Sequence, residues 1–221
     1  DGSALTVDGW LGHGPGSGDL AAVLRPLALA ALNEDPREGS AKLFACVLDR
    51  ILASPASGSG LALPRRGLGD LLRGFEDFVT SRAGEVRYRA TVLGVRISGS
   101  RVAGVSLLGG LRIPAEAVVL AVPHERAGWV LARDHWGEYR EAPSVPWSPI
   151  VSTVHTFDRP ILPSRFVGLL GTRTQWAFDR GSTAPGRYMV GTVRSAAFAD
   201  VELPTNVIAD ETTREMADAF P

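Results

Sequence analysis

The chain has 221 residues and a mass of 23.4 kDa, enough to bury a sizeable core in one large or two small domains. With 45% hydrophobic and 21% charged residues it has an ordinary globular balance, and its formal net charge of −1 excludes a global field for nucleic acid or an anionic membrane. A lone cysteine, Cys46, excludes an internal disulfide and a multi-cysteine metal site, and no run reaches the ~18 apolar residues that a membrane span needs.

The first segment, 4–19, reads as an exposed helical piece followed by a Gly/Pro loop. Gly16, Gly18 and Ala21 fit only the loosest dinucleotide fingerprint, with no strand before them and no acidic residue at a strand end afterwards, so a flexible loop is expected. Residues 20–32 are apolar almost all round, with Arg25 the only charge and Pro26 inside, which predicts a buried helix kinked or begun at the proline. After a break at 33–39, Ser40 starts a helix to about Ala53 with Leu43, Phe44, Val47, Leu48 and Ile51 on one face. Cys46 lies in that helix among apolar neighbours and is expected to be a buried small hydrophobe. Such paired helices are plain core or, alternatively, a wall around an apolar ligand.

Residues 61–66 read as a short strand ending at Arg65 and Arg66, followed by Gly67, Gly69 and an amphipathic helix over 70–82 with Leu71, Leu72, Phe75 and Phe78 facing inward. The stretch 85–123 is a series of short β-branched runs separated by Gly and Ser, predicting a meander with tight turns. Its last run, 117–122, is apolar without alternation, as in a strand covered on both faces. A helix is expected over 124–131, then a polar Trp- and Pro-containing excursion over 133–149. Four strands follow, at 150–157, 165–171, 174–180 and 187–194, forming an antiparallel sheet with one face covered by the 20–53 helices. In the third, Trp176 and Phe178 alternate with Ala177 and Asp179 and share a face. Asp179 and Arg180 read as a surface pair, and the chain ends as a helix pattern begins at Glu211. The fold class is thus α+β, a mixed or antiparallel sheet with helices plus a β-meander portion, in three stretches: 1–60, 61–132 and 133–221.

Chemistry of its own is sparse. His13, His124, His135 and His155 are scattered without ligand spacing, and no G-x-S-x-G elbow, Walker A loop or S-x-x-K occurs. No catalytic residue and no metal ligand is nominated, so any reactive group is expected to come from a cofactor.

Several segments carry a resemblance: 26–33 (Pro-Leu-Ala-Leu-Ala-Ala-Leu-Asn), 41–44, Leu63-Pro-Arg65 with Leu68 and Leu71-Leu72, 117–123 (Ala-Val-Val-Leu-Ala-Val-Pro), 149–151 and 175–181 (Gln-Trp-Ala-Phe-Asp-Arg-Gly). Their order and separation resemble the FAD-dependent amine oxidase and phytoene desaturase superfamily, and within it the squalene-associated desaturases known as hydroxysqualene dehydroxylases. The resemblance implies that the meander belongs to an FAD domain, with Val92 contacting the adenine through its backbone and Ala121, Val122 and Pro123 passing close to the flavin. It implies that 20–53 and 150–194 belong to a substrate domain, with Trp176 and Phe178 as cavity residues for an apolar, isoprenoid-like substrate that gives up hydride to the flavin. The family's G-x-G-x-x-G unit and its closing Gly-Asp segment are missing from the sequence. The chain is therefore expected to be the central portion of an oxidoreductase, inactive and not retaining FAD by itself. The alternative is a non-catalytic apolar-ligand-binding domain; a strand and G-x-G-x-x-G encoded upstream would decide for the enzyme. Further expectations are a cytoplasmic location with peripheral membrane association, no nucleic-acid partner, and a homodimer through an exposed apolar seam around Val92 and Ala121.

Overall fold

The computed structural model describes residues 5–12, 18–53, 63, 68–131 and 145–221. They fall into two compact units, Asp1–Gly60 with Trp147–Pro221, and Leu61–Pro146.

In the first unit three helices pack on one another: α1 (Val7–Gly12), α2 (Asp19–Leu32) and α3 (Ala41–Leu52). Their shared core is Val7, Leu11, Ala21, Ala28 and Phe44, with Leu24, Leu27, Leu32 and Leu48 against it. Ser40 caps α3 by accepting the Leu43 N–H, as a serine before an apolar-periodic run should. Three expectations change here. The 4–19 helix is not an exposed piece, since Val7 and Leu11 are buried. Helix α2 is not buried all round: it contacts its neighbours along one side, leaving Leu20 and Val23 exposed. Cys46 is exposed, because the buried stripe of α3 runs through Ala41 and Phe44 and position 46 is turned away from it.

The rest of this unit is a four-stranded antiparallel sheet, β4 (Val151–Phe157), β5 (Phe166–Gly168), β6 (Trp176–Ala184) and β7 (Arg187–Arg194), in spatial order β4-β7-β6-β5. A Pro185-Gly186 turn, with Gly186 at φ 69°, joins β6 to β7. One face carries Ala177, Val190, Phe157 and Val167, which close with Leu169 and Met216 into a second core under helix α6 (Thr205–Ala219). The cover expected from the 20–53 helices is thus supplied on this face by α6, whose buried Ile208, Thr212 and Met216 recur every fourth residue. The helical and sheet halves are tied by Asn33, which ends α2 in the left-handed region at φ 50°. Its Nδ2 donates to the Ser148 carbonyl at 2.8 Å, its Oδ1 accepts the Ala196 N–H at 2.8 Å, and its own carbonyl accepts from the Ser148 hydroxyl.

The second unit holds α4 (Leu68–Thr80), the meander β1 (Val92–Ser98), β2 (Arg101–Leu107) and β3 (Arg112–Ile113) in order β1-β2-β3, and α5 (His124–Leu131), which packs on β1. The 61–66 strand lies outside the described residues except for Leu63, which belongs to no strand. Gly104, at φ 123°, is required where β2 passes β3: an added Cβ would stand 2.0 Å from the Ile113 carbonyl oxygen. Two expectations fail here. The inward face assigned to α4 is open, with Leu72, Phe75 and Phe78 at 64%, 63% and 55% exposure. The run 117–122 is not a buried strand: it is irregular, Val119 is 91% exposed, and it makes no backbone hydrogen bond among the described residues. Its composition fits a doubly covered strand, but the described residues offer neither a neighbouring strand nor a covering layer.

Candidate functional site

Strand alternation assigns every side chain of the four-stranded sheet to one of two faces. The α6 face is polar at one end. Arg194, 2% exposed, donates through Nη1 to Asp200 at 2.7 Å and Glu211 at 3.1 Å, through Nη2 to the Thr212 hydroxyl at 2.9 Å and Glu215 at 3.5 Å, and through Nε to the Thr174 hydroxyl at 3.2 Å. Arg173 joins the same carboxylates from the outside, at 3.0 Å to Asp200 and 3.4 Å to Glu211. Burial works against the Arg194 charge, but the hydrogen bonds it donates to Asp200 and Glu211 and the surrounding negative charge outweigh it and raise the pKa. Every donor is engaged, so this cluster fastens α6 to the sheet and leaves nothing for a ligand. The sequence reading did not find it; the signal was Glu211 and Glu215, one helical turn apart and flanking Thr212.

On the same face, His155 Nε2 lies 2.8 Å from the Thr153 hydroxyl, and Nδ1 lies 3.4 Å from the Thr213 hydroxyl. Burial pushes its pKa below the ordinary histidine value, which favours the neutral ring.

The opposite face is aromatic toward β5 and β6 and only partly covered. It brings Trp176 and Phe178 together, as alternation predicts, and adds Phe166 from β5, which the sequence reading did not nominate. Phe166 stands 6.2 Å from Trp176 and 6.3 Å from Phe178, the second pair nearly parallel at 24°. Gly168 leaves room for the indole, whose ring would lie 3.2 Å from a Cβ there. The Trp176 Nε1 is buried without a hydrogen-bond partner. Val154, Met189 and Val193 extend the same face. Asp179 and Arg180 do not pair with each other: Asp179 Oδ1 accepts the Gly181 N–H at 2.8 Å, steadying a bulge, while Arg180 lies across Gly191. A separate shallow cleft of about 430 Å³, lined by Ile161, Leu162, Pro163 and Phe220 among others, includes neither Trp176 nor Phe178.

In the second unit, Val92 opens β1 and is 38% exposed. Strand β1 is an edge strand, so backbone groups on its outer side can meet the hydrogen-bonding rim of a flat heterocycle. Ala121, Val122 and Pro123 lie exposed just before α5, which packs on β1, so all four nominated residues belong to one body. No strand–glycine loop–helix unit for a pyrophosphate is among the described residues. No group of His, Cys, Asp and Glu among the described residues is arranged to hold a metal ion, and none of their helices is long and apolar enough to cross a membrane.

The first unit thus offers an aromatic, partly covered sheet face and the second a meander with an open edge, and among the described residues neither gathers a set of side chains arranged for acid–base or metal chemistry. Solved structures share the fold: an oxidoreductase from Methanosarcina mazei at TM-score 0.80 and 14% identity, covering 98% of this chain and 53% of that one. A protein from Pyrococcus furiosus follows at TM-score 0.77 and 13% identity, with 100% and 56% covered. A putrescine oxidase triple mutant from a redesign of cofactor binding gives TM-score 0.72 and 16% identity, with 97% and 50% covered. The chain spans about half the length of these structures. No curated protein gives a significant sequence match. The sequence profile described as flavin containing amine oxidoreductase matches residues 5–221, and the chain belongs to that family. FAD is accordingly the cofactor of the family.

Proposed function

We propose that the chain is the central portion of an FAD-dependent oxidoreductase that takes hydride from an apolar, isoprenoid-like substrate, as in squalene-associated desaturases. The observation that carries this is the partly covered aromatic face of Phe166, Trp176 and Phe178 in a chain of a flavin-containing family. Such a face removes apolar surface from water and orients it without committing a side chain to proton transfer. The flavin, when bound, supplies the hydride acceptor. Val92 would meet its adenine through the backbone, and Ala121, Val122 and Pro123 would pass its ring system. Without a pyrophosphate anchor the 221 residues alone are expected to bind FAD on the order of a thousandfold more weakly than a complete site, a loss of about 4 kcal/mol. Anaerobic mixing of the flavin-loaded gene product with squalene-type isoprenoids should bleach the flavin band, and putrescine should not. Bleaching by the amine alone overturns the isoprenoid reading.

The same reading carries self-association through the exposed apolar surface of Val92, Val119 and Val122, and peripheral contact with the membrane that holds such a substrate. In sedimentation experiments the Val119→Asp chain should stay monomeric where the wild type dimerises. Identical behaviour of the two would remove the seam.

A further inference from the structure

We infer that the aromatic sheet face takes an amphiphilic anion: an extended apolar body lying over Phe166, Trp176 and Phe178 with an oxyanion end met by Arg180. This deepens the substrate reading above and rests on its choice of face. Three observations carry it. First, an added Cβ at Gly191 would stand 2.8 Å from Arg180 Cδ and 3.2 Å from its Nη1, so the glycine is what lets the arginine stem lie flat on the sheet and hold its guanidinium beside Phe178, the residue paired with Gly191. Second, the guanidinium of Arg180 has no hydrogen-bond or ion-pair partner among the described residues, nor has that of Arg187, which alternation along β7 puts on the same face as Met189, Gly191 and Val193. Third, the only carboxylate in the four strands is Asp179, which belongs to the α6 face by alternation and is engaged with the Gly181 N–H. The four strands therefore give this face aromatic rings, aliphatic side chains and two arginines, and no carboxylate of their own. A guanidinium in this setting selects carboxylate or phosphate oxygens and repels an ammonium group.

Positions 176, 178 and 180 follow one another on this face of β6, so the rings and the arginine stem lie along one strand.

Calorimetric titration of the purified chain with decanoate, decanol and decylammonium tests this without flavin. Decanoate should bind at least tenfold more tightly than decylammonium. Arg180→Gln should weaken decanoate about tenfold and leave decanol unchanged, and Gly191→Ala, which displaces the arginine stem, should act in the same direction. Equal affinity for the anion and the cation, an Arg180→Gln chain that keeps its decanoate affinity, or no saturable decanoate binding overturns the inference. The outcomes separate from those of the flavin experiment: flavin bleaching by neutral isoprenoids without anion selectivity leaves the oxidoreductase reading standing alone, and anion selectivity without bleaching leaves the binding face alone.

Discussion

Replacing Arg194 by methionine is the most severe test of how α6 is held. The guanidinium is 2% exposed and contacts Asp200, Glu211, Glu215, Thr174 and Thr212. Methionine fills much of the volume but leaves three carboxylates facing Arg173 alone, whose side chain is 44% exposed. Removing one partner from a buried charge cluster costs about 3–5 kcal/mol, because the remaining charges stay desolvated without compensation. For a chain of this size each kcal/mol moves the melting midpoint by about 2–4 °C, so a fall of roughly 6–20 °C is expected. Two units need not melt together. The melt is therefore paired with amide hydrogen exchange over Thr205–Ala219, where protection should drop more than in β1 and β2. Arg173→Met is the control, expected to cost about 1 kcal/mol because the Arg173 side chain is 44% exposed and Arg194 still pairs with the same carboxylates. If Arg194→Met loses less than about 1 kcal/mol, or no more than Arg173→Met, the cluster does not hold α6.

Three further predictions concern the frame around the site. Asn33→Gly keeps the left-handed cap and removes two side-chain hydrogen bonds, for a loss of about 2 kcal/mol in urea unfolding, and Asn33→Ala adds roughly 1 kcal/mol for the backbone conformation. Because burial lowers the folded-state pKa of His155 below its unfolded value of 6.5, its neutral form contributes stability that is fully present above that value and is lost as pH falls from there through the folded pKa. Urea midpoints taken between neutral and mildly acidic pH should fall less for His155→Gln than for wild type; parallel profiles would exclude this residue as a source. Gly104→Ala puts a methyl group 2.0 Å from the Ile113 carbonyl at a positive φ, and should cost on the order of 3 kcal/mol, read as lost amide protection in β2 and β3.

What was legible in the sequence was what depends on near neighbours. The meander, the strands at 151–157 and 187–194, the Ser40 cap and the shared face of Trp176 and Phe178 follow from alternation, turn residues and capping chemistry, all of which act within a few positions. The addition of Phe166 to the ring cluster depends on the pairing of β5 with β6, and the docking of α6 on a charge cluster joins positions 174, 194, 200, 211 and 215. Neither can be read from one segment.

The failed burial assignments share a different cause. Leu20 and Val23 of α2, Leu72, Phe75 and Phe78 of α4, and Val119 are all exposed, yet each belongs to a run whose periodicity or composition specifies a covered face. Periodicity states that an element suits burial; it does not say which surface buries it. Where the partner is among the described residues, as for Phe44, Ala177 and Met216, side chains reach zero exposure and the sequence signal and the structure agree. Where they disagree, the side chains are large and the patches extend over helices and an irregular apolar run, more than scattered surface residues explain. A chain whose α4 face and 117–122 run find no cover among the described residues should therefore be stickier than its net charge of −1 alone implies. Charged substitutions at Phe75 and Val119 together should lower its self-association without lowering its melting midpoint, whereas a chain already monomeric at high concentration would show that these faces need no cover.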